Sequence, residues 1–269
     1  MSEKEIWLNR LQKCVEATRQ WETLTPGLDE VEKGSSLDKD DETLPGSPVR
    51  AAASYGLVAA VDHLALIADL SSNLTLRPSS MFTVTRAALL AASQTVWVLS
   101  GTQDERRLRA LSVATDEHKN HRAYINDYAN DPFVGEMAPD MVPQLKELAE
   151  KLTKKITSLQ KIRRGKPYDG QLQATTMMQE AARHLADQND ADDWMRLALG
   201  HEWRLASAAA HARAWPMHIR ATDREPLPDG GEIRRMSSSL SEFIQSFGAA
   251  TLMTSEAWRL WDFQRTQRI

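Results

Sequence analysis

Apolar residues recur at every third or fourth position along almost the whole chain, and that rhythm restricts the fold more than any other feature. Ile6, Leu8, Leu11, Val15, Trp21 and Leu24 mark a first amphipathic helix that stops at Thr25-Pro26-Gly27. Tyr55, Leu57, Val58, Val61, Leu64, Ile67 and Ala68 place a second helix over 49–70. Arg77-Pro78-Ser79-Ser80 reads as a stop followed by a new start, opening an apolar helix over 79–99 that ends at Gly101. A charged helix over 104–128 is broken by Asp131-Pro132. Helices over 142–164 and 170–188 follow, and the acids Asp192 and Asp193 favour the start of another over 191–214, closed by Pro216. The stretch from Trp215 to Gly231 has room for a short hairpin, and a last helix fills 233–264. No alternating strand of any length and no internal repeat interrupts the pattern. The expectation is a single all-α domain over 1–269, a bundle of about eight main helices. Residues 28–48, with their acidic run Asp38-Lys-Asp-Asp-Glu42, are expected to form a flexible, solvated acidic loop, and 217–232 a second loop.

Composition narrows the class of function. The chain has 269 residues, enough to bury a core without metal or disulfide staples. Its net charge of −4 advertises no affinity for polyanions at large. The one cysteine, Cys14, excludes an internal disulfide and a multi-cysteine zinc site, and it sets a reducing, cytoplasmic home as the default. The charged start Met1-Ser-Glu-Lys-Glu lacks the apolar core of a signal peptide. The most apolar stretch, 87–99, is too short to span a bilayer and is interrupted by Ser93, Gln94 and Thr95, so no membrane partner is expected.

Metal chemistry finds little footing, and no cofactor is expected. His201-Glu202 begins like a zincin helix and His211 sits where a third ligand would, but Leu205 replaces the second histidine and Ala208 the glycine. Glu117, His118 and His121 could meet on one helix face, yet that helix is charged throughout and reads as a solvated face. Asp62, His63 and Asp69 read as satisfied core polar groups. No glycine-rich phosphate loop and no nucleophile elbow is present. Cys14 lacks the basic surroundings that make a thiolate.

The informative segment is His201-Glu-Trp-Arg-Leu-Ala-Ser-Ala-Ala-Ala-His211. Arg204 and His211 lie seven positions apart, so on a helix they project within ~20° of each other, two turns apart. Ser207 lies between them, and the intervening alanines let another helix or a ligand come close. A guanidinium neutralises phosphate oxygens with a bidentate fork. An imidazole exchanges protons near neutral pH, as attack by a ribose 2′-hydroxyl requires.

Arg204 to His211 spells Arg-x6-His, the long limit of the Arg-x4–6-His motif of the HEPN superfamily (higher eukaryotes and prokaryotes nucleotide-binding). The segment resembles that of bacterial HEPN-related helical proteins through Trp203, Arg204, Ser207 and His211. The apolar run Arg86-Ala-Ala-Leu-Leu-Ala-Ala-Ser-Gln-Thr-Val-Trp97 and the basic helix start Glu105-Arg-Arg-Leu-Arg109 are similar too. The resemblance covers 49–216 and implies a HEPN-like core with added terminal helices. It further implies a homodimer and a metal-independent ribonuclease of toxin or defence type, working with an antitoxin or regulatory protein. His211 would exchange the 2′-hydroxyl proton, Arg204 would stabilise the phosphorane, Ser207 would orient one of them, and the product would carry a 2′,3′-cyclic phosphate. One departure stands out: Leu205 follows the motif arginine where active members usually carry Asn, Asp or His.

The competing expectation is a non-catalytic helical module that binds a protein partner or a nucleotide, with Arg204, Ser207 and His211 as a buried polar network fixing helix register. Trp194, Trp203 and Trp215 flank the motif and could stack bases. With 8 Trp against 4 Tyr and 5 Phe, core packing is the plainer account of them, as it is of Trp258 and Trp261. Arg196, Arg213, Arg220 and Arg224 raise the local positive charge, diluted by Asp223, Glu225 and Asp229. Arg86, at the head of the buried helix, is expected to pair with an acid from a neighbouring helix.

Overall fold

The computed structural model describes residues 2–28, 30–44, 46, 48–71, 77–189, 193–230, 232–236 and 239–267. Eight long α-helices carry the fold among these residues: α1 (Glu3–Leu24), α3 (Pro48–Ser71), α4 (Pro78–Leu99), α5 (Gln103–Ala129), α7 (Met141–Arg163), α8 (Ala174–Gln188), α9 (Asp193–Ala210) and α11 (Leu240–Arg265). Short helices α2 (Ser36–Glu42), α6 (Pro132–Met137) and α10 (Met217–Arg220) and a hairpin, β1 (Ala221–Pro226) with β2 (Glu232–Met236), complete it. The all-α bundle is as expected. Asp192 lies outside the described residues; Asp193 stands in the first turn of α9.

The helices start where side chains can satisfy their free N–H groups. Ser2, Thr102 and Ser239 each form a capping box with the glutamate three residues on. Asp131 caps α6 and so accounts for the break after α5. At the centre lies α4, packed against α3, α5, α8, α9 and α11. Met81, Phe82, Ala88, Leu89, Ala92, Val96, Val98 and Leu99 are all buried, so α4 is apolar around most of its circumference, as a surrounded helix must be. Both α3 and α4 are long and apolar enough to cross a membrane, but 50% and 61% of those stretches is buried within the protein. The crossing of α3 and α4 is unusually close: a Cβ on Gly56 would lie 2.4 Å from Thr95 Oγ1 and 2.8 Å from the Ala91 carbonyl oxygen. Thr95 uses that proximity to donate to the Ala53 carbonyl at 2.9 Å.

Away from this core, α7 packs along α5 over its own small cluster of Ile125, Ala149 and Leu152. The pair forms an arm whose outer end exposes Tyr124, Tyr128, Phe133 and Met137.

Three expectations are corrected. Residues 28–48 are not wholly a solvated loop: α2 lies within them and buries Leu37 and Asp40 completely. The Asp40 carboxylate receives Arg106 Nε at 2.7 Å, with Arg107 Nε 3.3 Å away, so part of the acidic run is an internal counter-charge for α5. Residues 217–232 hold α10 and most of the hairpin rather than a loop, and 233–236 belong to β2, so the last helix starts at Leu240. The turn between the strands is fixed by Gly230 at φ +83°. Asp62 and Asp69 are exposed rather than core groups, and Asp69 pairs with Arg19.

Candidate functional site

The end of α9 shapes the site. Expected to run to 214, the helix stops at Ala210 because Ala212 adopts φ +50°. The Arg213 N–H then donates to the Ala208 carbonyl at 2.8 Å and the Ala212 N–H to the Ala209 carbonyl at 3.2 Å, the two bonds of a Schellman ending. His211 therefore stands at the helix terminus, and Arg213 turns back beside it. Ser207 and Arg204 lie one and two turns earlier on α9.

All these residues line one cleft of about 470 Å³. Arg86 of α4, Trp203, Arg204, Ser207, His211, Arg213 and Trp215 line it together with Gln173, Ala174 and Thr175 around the start of α8. Arg204, His211, Arg213 and Trp215 are exposed, Ser207 and Arg86 are half-buried, and Trp203 is buried. Among the described residues, the side chains of Arg204, His211 and Arg213 form no hydrogen bond and no ion pair. The buried network expected for Arg204, Ser207 and His211 is thus not what the geometry contains. Ser207 instead accepts a hydrogen bond from Arg86 Nε at 3.0 Å.

Arg86 departs from expectation as well. It meets no carboxylate among the described residues; its guanidinium carbon sits 4.7 Å above the centre of the Trp203 ring. Burial pulls its pKa below the ordinary arginine value. Sequence reasoning missed it as a site residue, although an arginine early in an otherwise apolar helix was the available signal. Gln173 and Thr175 gave no signal, because only the fold brings the start of α8 to α9.

The described lining of this cleft contains three arginines, one histidine and neither aspartate nor glutamate. In a chain of net charge −4, that is a local reversal of sign. A second, apolar trough of about 950 Å³ adjoins it along α8, α9 and α11, and Arg204 borders both. Trp194, Leu197 and Leu252 stand exposed there at 74%, 50% and 40%.

The other candidates fare differently. Among the described residues, no three His, Cys, Asp or Glu side chains come together as a metal site. The His118 pKa is lowered by burial and by the charges of Lys155 and His121, surroundings that repel a cation. Leu205 is buried at the position a zinc ligand would need. Burial raises the Cys14 pKa, against a hydrogen bond with Thr251 that lowers it, leaving an inert thiol. Trp258 and Trp261 are core residues. Arg196 is engaged by Asp193 at 3.0 Å, while the side chains of Arg220, Asp223 and Arg224 lie outside the described residues.

Fold and cleft together define an all-α protein with an arginine-lined cleft at a helix end, whose described lining holds no acid. The chain matches no family model, no curated protein and no solved structure.

Proposed function

We propose that this chain is a HEPN-like, metal-independent endoribonuclease acting in the cytoplasm, with His211 and Arg204 as its catalytic pair. The observation that carries the reading is that both side chains line one cleft, exposed and unengaged among the described residues, with no acid in the cleft's described lining. Such an arrangement attracts a phosphodiester and leaves an imidazole free to move a proton. In the reaction, His211 takes the proton of the ribose 2′-hydroxyl as the oxygen attacks the adjacent phosphorus. The 5′-oxygen of the next nucleotide leaves and takes up a proton, giving a 2′,3′-cyclic phosphate and a 5′-hydroxyl. Arg204 offsets the charge that builds on the phosphorane oxygens. Ser207 holds Arg86 and, through its own hydroxyl hydrogen, can donate into the cleft.

The test is incubation of the purified protein with single-stranded RNA in EDTA. Cleavage to cyclic phosphate ends is expected, falling ~10²–10⁴-fold in His211→Ala, the range general acid–base groups supply. Because the His211 side chain is exposed and makes no bond among the described residues, that variant should unfold within ~0.5 kcal/mol of the parent. Cleavage surviving unchanged in His211→Ala refutes the assignment. The trough beside the cleft, with Trp194, Leu197 and Leu252 at its rim, is where we place the second subunit of a homodimer, while an antitoxin or regulatory protein would act by covering the cleft.

A further inference from the structure

The positive charge in the cleft exceeds what one phosphodiester needs. Arg86, Arg204 and Arg213 bring three guanidinium groups to a single cavity of about 470 Å³, a size that takes one small ligand. An internal phosphodiester offers one negative charge, whereas a phosphomonoester carries nearly two near neutral pH.

Two other sheltered arginines are engaged by the protein itself. Arg106 meets the buried Asp40 at 2.7 Å. Arg163 donates to Ser112 Oγ at 3.0 Å, to the Gly170 carbonyl at 3.0 Å and to the Tyr168 carbonyl. Among the described residues Arg86 has only Ser207, which occupies its Nε and leaves both terminal nitrogens without a described protein acceptor. Trp203 supports one face of the guanidinium and Ser207 fixes its rotation, so the free edge is held in place before any ligand arrives. A fixed fork of two N–H groups matches two oxygens of one phosphate. Arg204 and Arg213, exposed and without side-chain partners among the described residues, supply charge from the α9 side. The opening residues of α8 also line the cleft, and the N-cap, Gln173, makes no side-chain capping bond, so the partial positive end of that helix adds to the same field.

We propose that Arg86, Arg204 and Arg213 form a receptor for a doubly charged terminal phosphate, carried by a free nucleotide or by the end of a nucleic-acid strand. Arg86 is the fixed anchor, and Arg204 and Arg213 close on the ligand. The inference rests on the cleft's being a phosphate site, as in the proposed function, but not on cleavage.

Binding is measured on the full chain with 2′-deoxy hexanucleotides of one sequence ending in a 5′-phosphate, a 3′-phosphate or hydroxyls only, and with a nucleoside 5′-monophosphate. The strands lack the 2′-hydroxyl and the monophosphate has no internal phosphodiester, so none of these can be cut by the proposed route. A terminal phosphate is expected to tighten binding at least tenfold over the hydroxyl-ended strand at fixed salt. Arg86→Gln should reduce that advantage to less than twofold. Arg213→Gln, at an exposed position where folding is not at issue, should reduce it at least threefold, and Lys154→Gln on the remote face of α7 should leave it unchanged. Free monophosphate binding as tightly as the phosphorylated strand identifies a nucleotide ligand; tighter binding of the strand identifies a strand end. Equal binding of phosphorylated and hydroxyl-ended strands, an advantage that survives both arginine substitutions, or displacement of the phosphorylated strand by a polyglutamate peptide at equal concentration each overturns the proposal. Cleavage without this discrimination removes the receptor and keeps the nuclease; discrimination without cleavage does the reverse.

Discussion

Ala212 holds a left-handed backbone conformation at φ +50° that costs an alanine about 1 kcal/mol more than a glycine. Ala212→Gly should therefore raise thermal stability by about 1 kcal/mol, read from the unfolding midpoint, with the Schellman bonds intact. The same change frees the backbone between His211 and Arg213, so RNA cleavage should fall while stability rises. A second test concerns Glu256, 5% exposed, which His184 Nε2 approaches at 2.9 Å and Arg259 grips with two bonds of 2.7 Å. Burial pushes its pKa up, but the hydrogen bonds and charges of Arg259 and His184 outweigh burial and leave it lowered. A carboxylate lowered in the folded state stabilises fully above its unfolded pKa, and that contribution fades as pH falls through the lowered value. Glu256→Gln should be less stable by about 1–3 kcal/mol at pH 7 and should lose less on acidification than the parent, measured by denaturant titration from pH 7 to pH 3. Equal losses in the two proteins would assign the acid sensitivity to other carboxylates. At this scale the sequence made Arg204 and His211 readable, because seven positions of helix place them on one side. It marked Arg86 only as a polar group in an apolar helix, because its place in the cleft depends on a contact between residues 121 positions apart.

Among elements, the long helices were legible because each buries a stripe with helical spacing, and their start signals are local: a serine or threonine with glutamate three residues on. The errors fall where backbone or tertiary effects override composition. Nothing in Glu232–Met236 alternates like a strand; it pairs with β1 because Gly230 turns the chain. Gly170 to Gln173 looks able to begin a helix, yet Arg163 captures the Tyr168 and Gly170 carbonyls and holds the connection until α8 starts at Ala174. The acidic run looked like solvated loop because its partners, Arg106 and Arg107, are 66 and 67 positions away. Asp40→Ala should cost about 3–5 kcal/mol, since it leaves Arg106, whose side chain is 8% exposed, without its counter-charge. Gly56→Val tests the α3–α4 crossing: with the Ala91 carbonyl and Thr95 already within 2.8 Å of a single Cβ, bulk there must push two core helices apart. A loss of at least 1–3 kcal/mol is expected by calorimetry.

For the whole molecule, the apolar trough and the cationic cleft share Arg204, so assembly and activity should be coupled. Leu197→Glu, placed on an exposed residue of the trough, should shift a homodimer to monomer by light scattering and lower RNA cleavage without changing the helical circular dichroism. A parent protein that is monomeric at micromolar concentration would remove the subunit placement. The two cavities also show why periodicity stops short of function: it places apolar stripes against one another, whereas charge left unbalanced in a cleft is visible only once the helices are assembled. The arm of α7 on α5 has a different consequence. Its outer half rests on the three-residue cluster Ile125, Ala149 and Leu152, while the core holds α3, α4 and α11 together. Amide protons near the tip of that arm should exchange with deuterium through a partial opening that leaves the bundle closed, and those of α4 only when the entire chain unravels. Exchange of that kind would make the arm a lever that melts and re-forms on its own clock, fastened at one end to a body that stays solid.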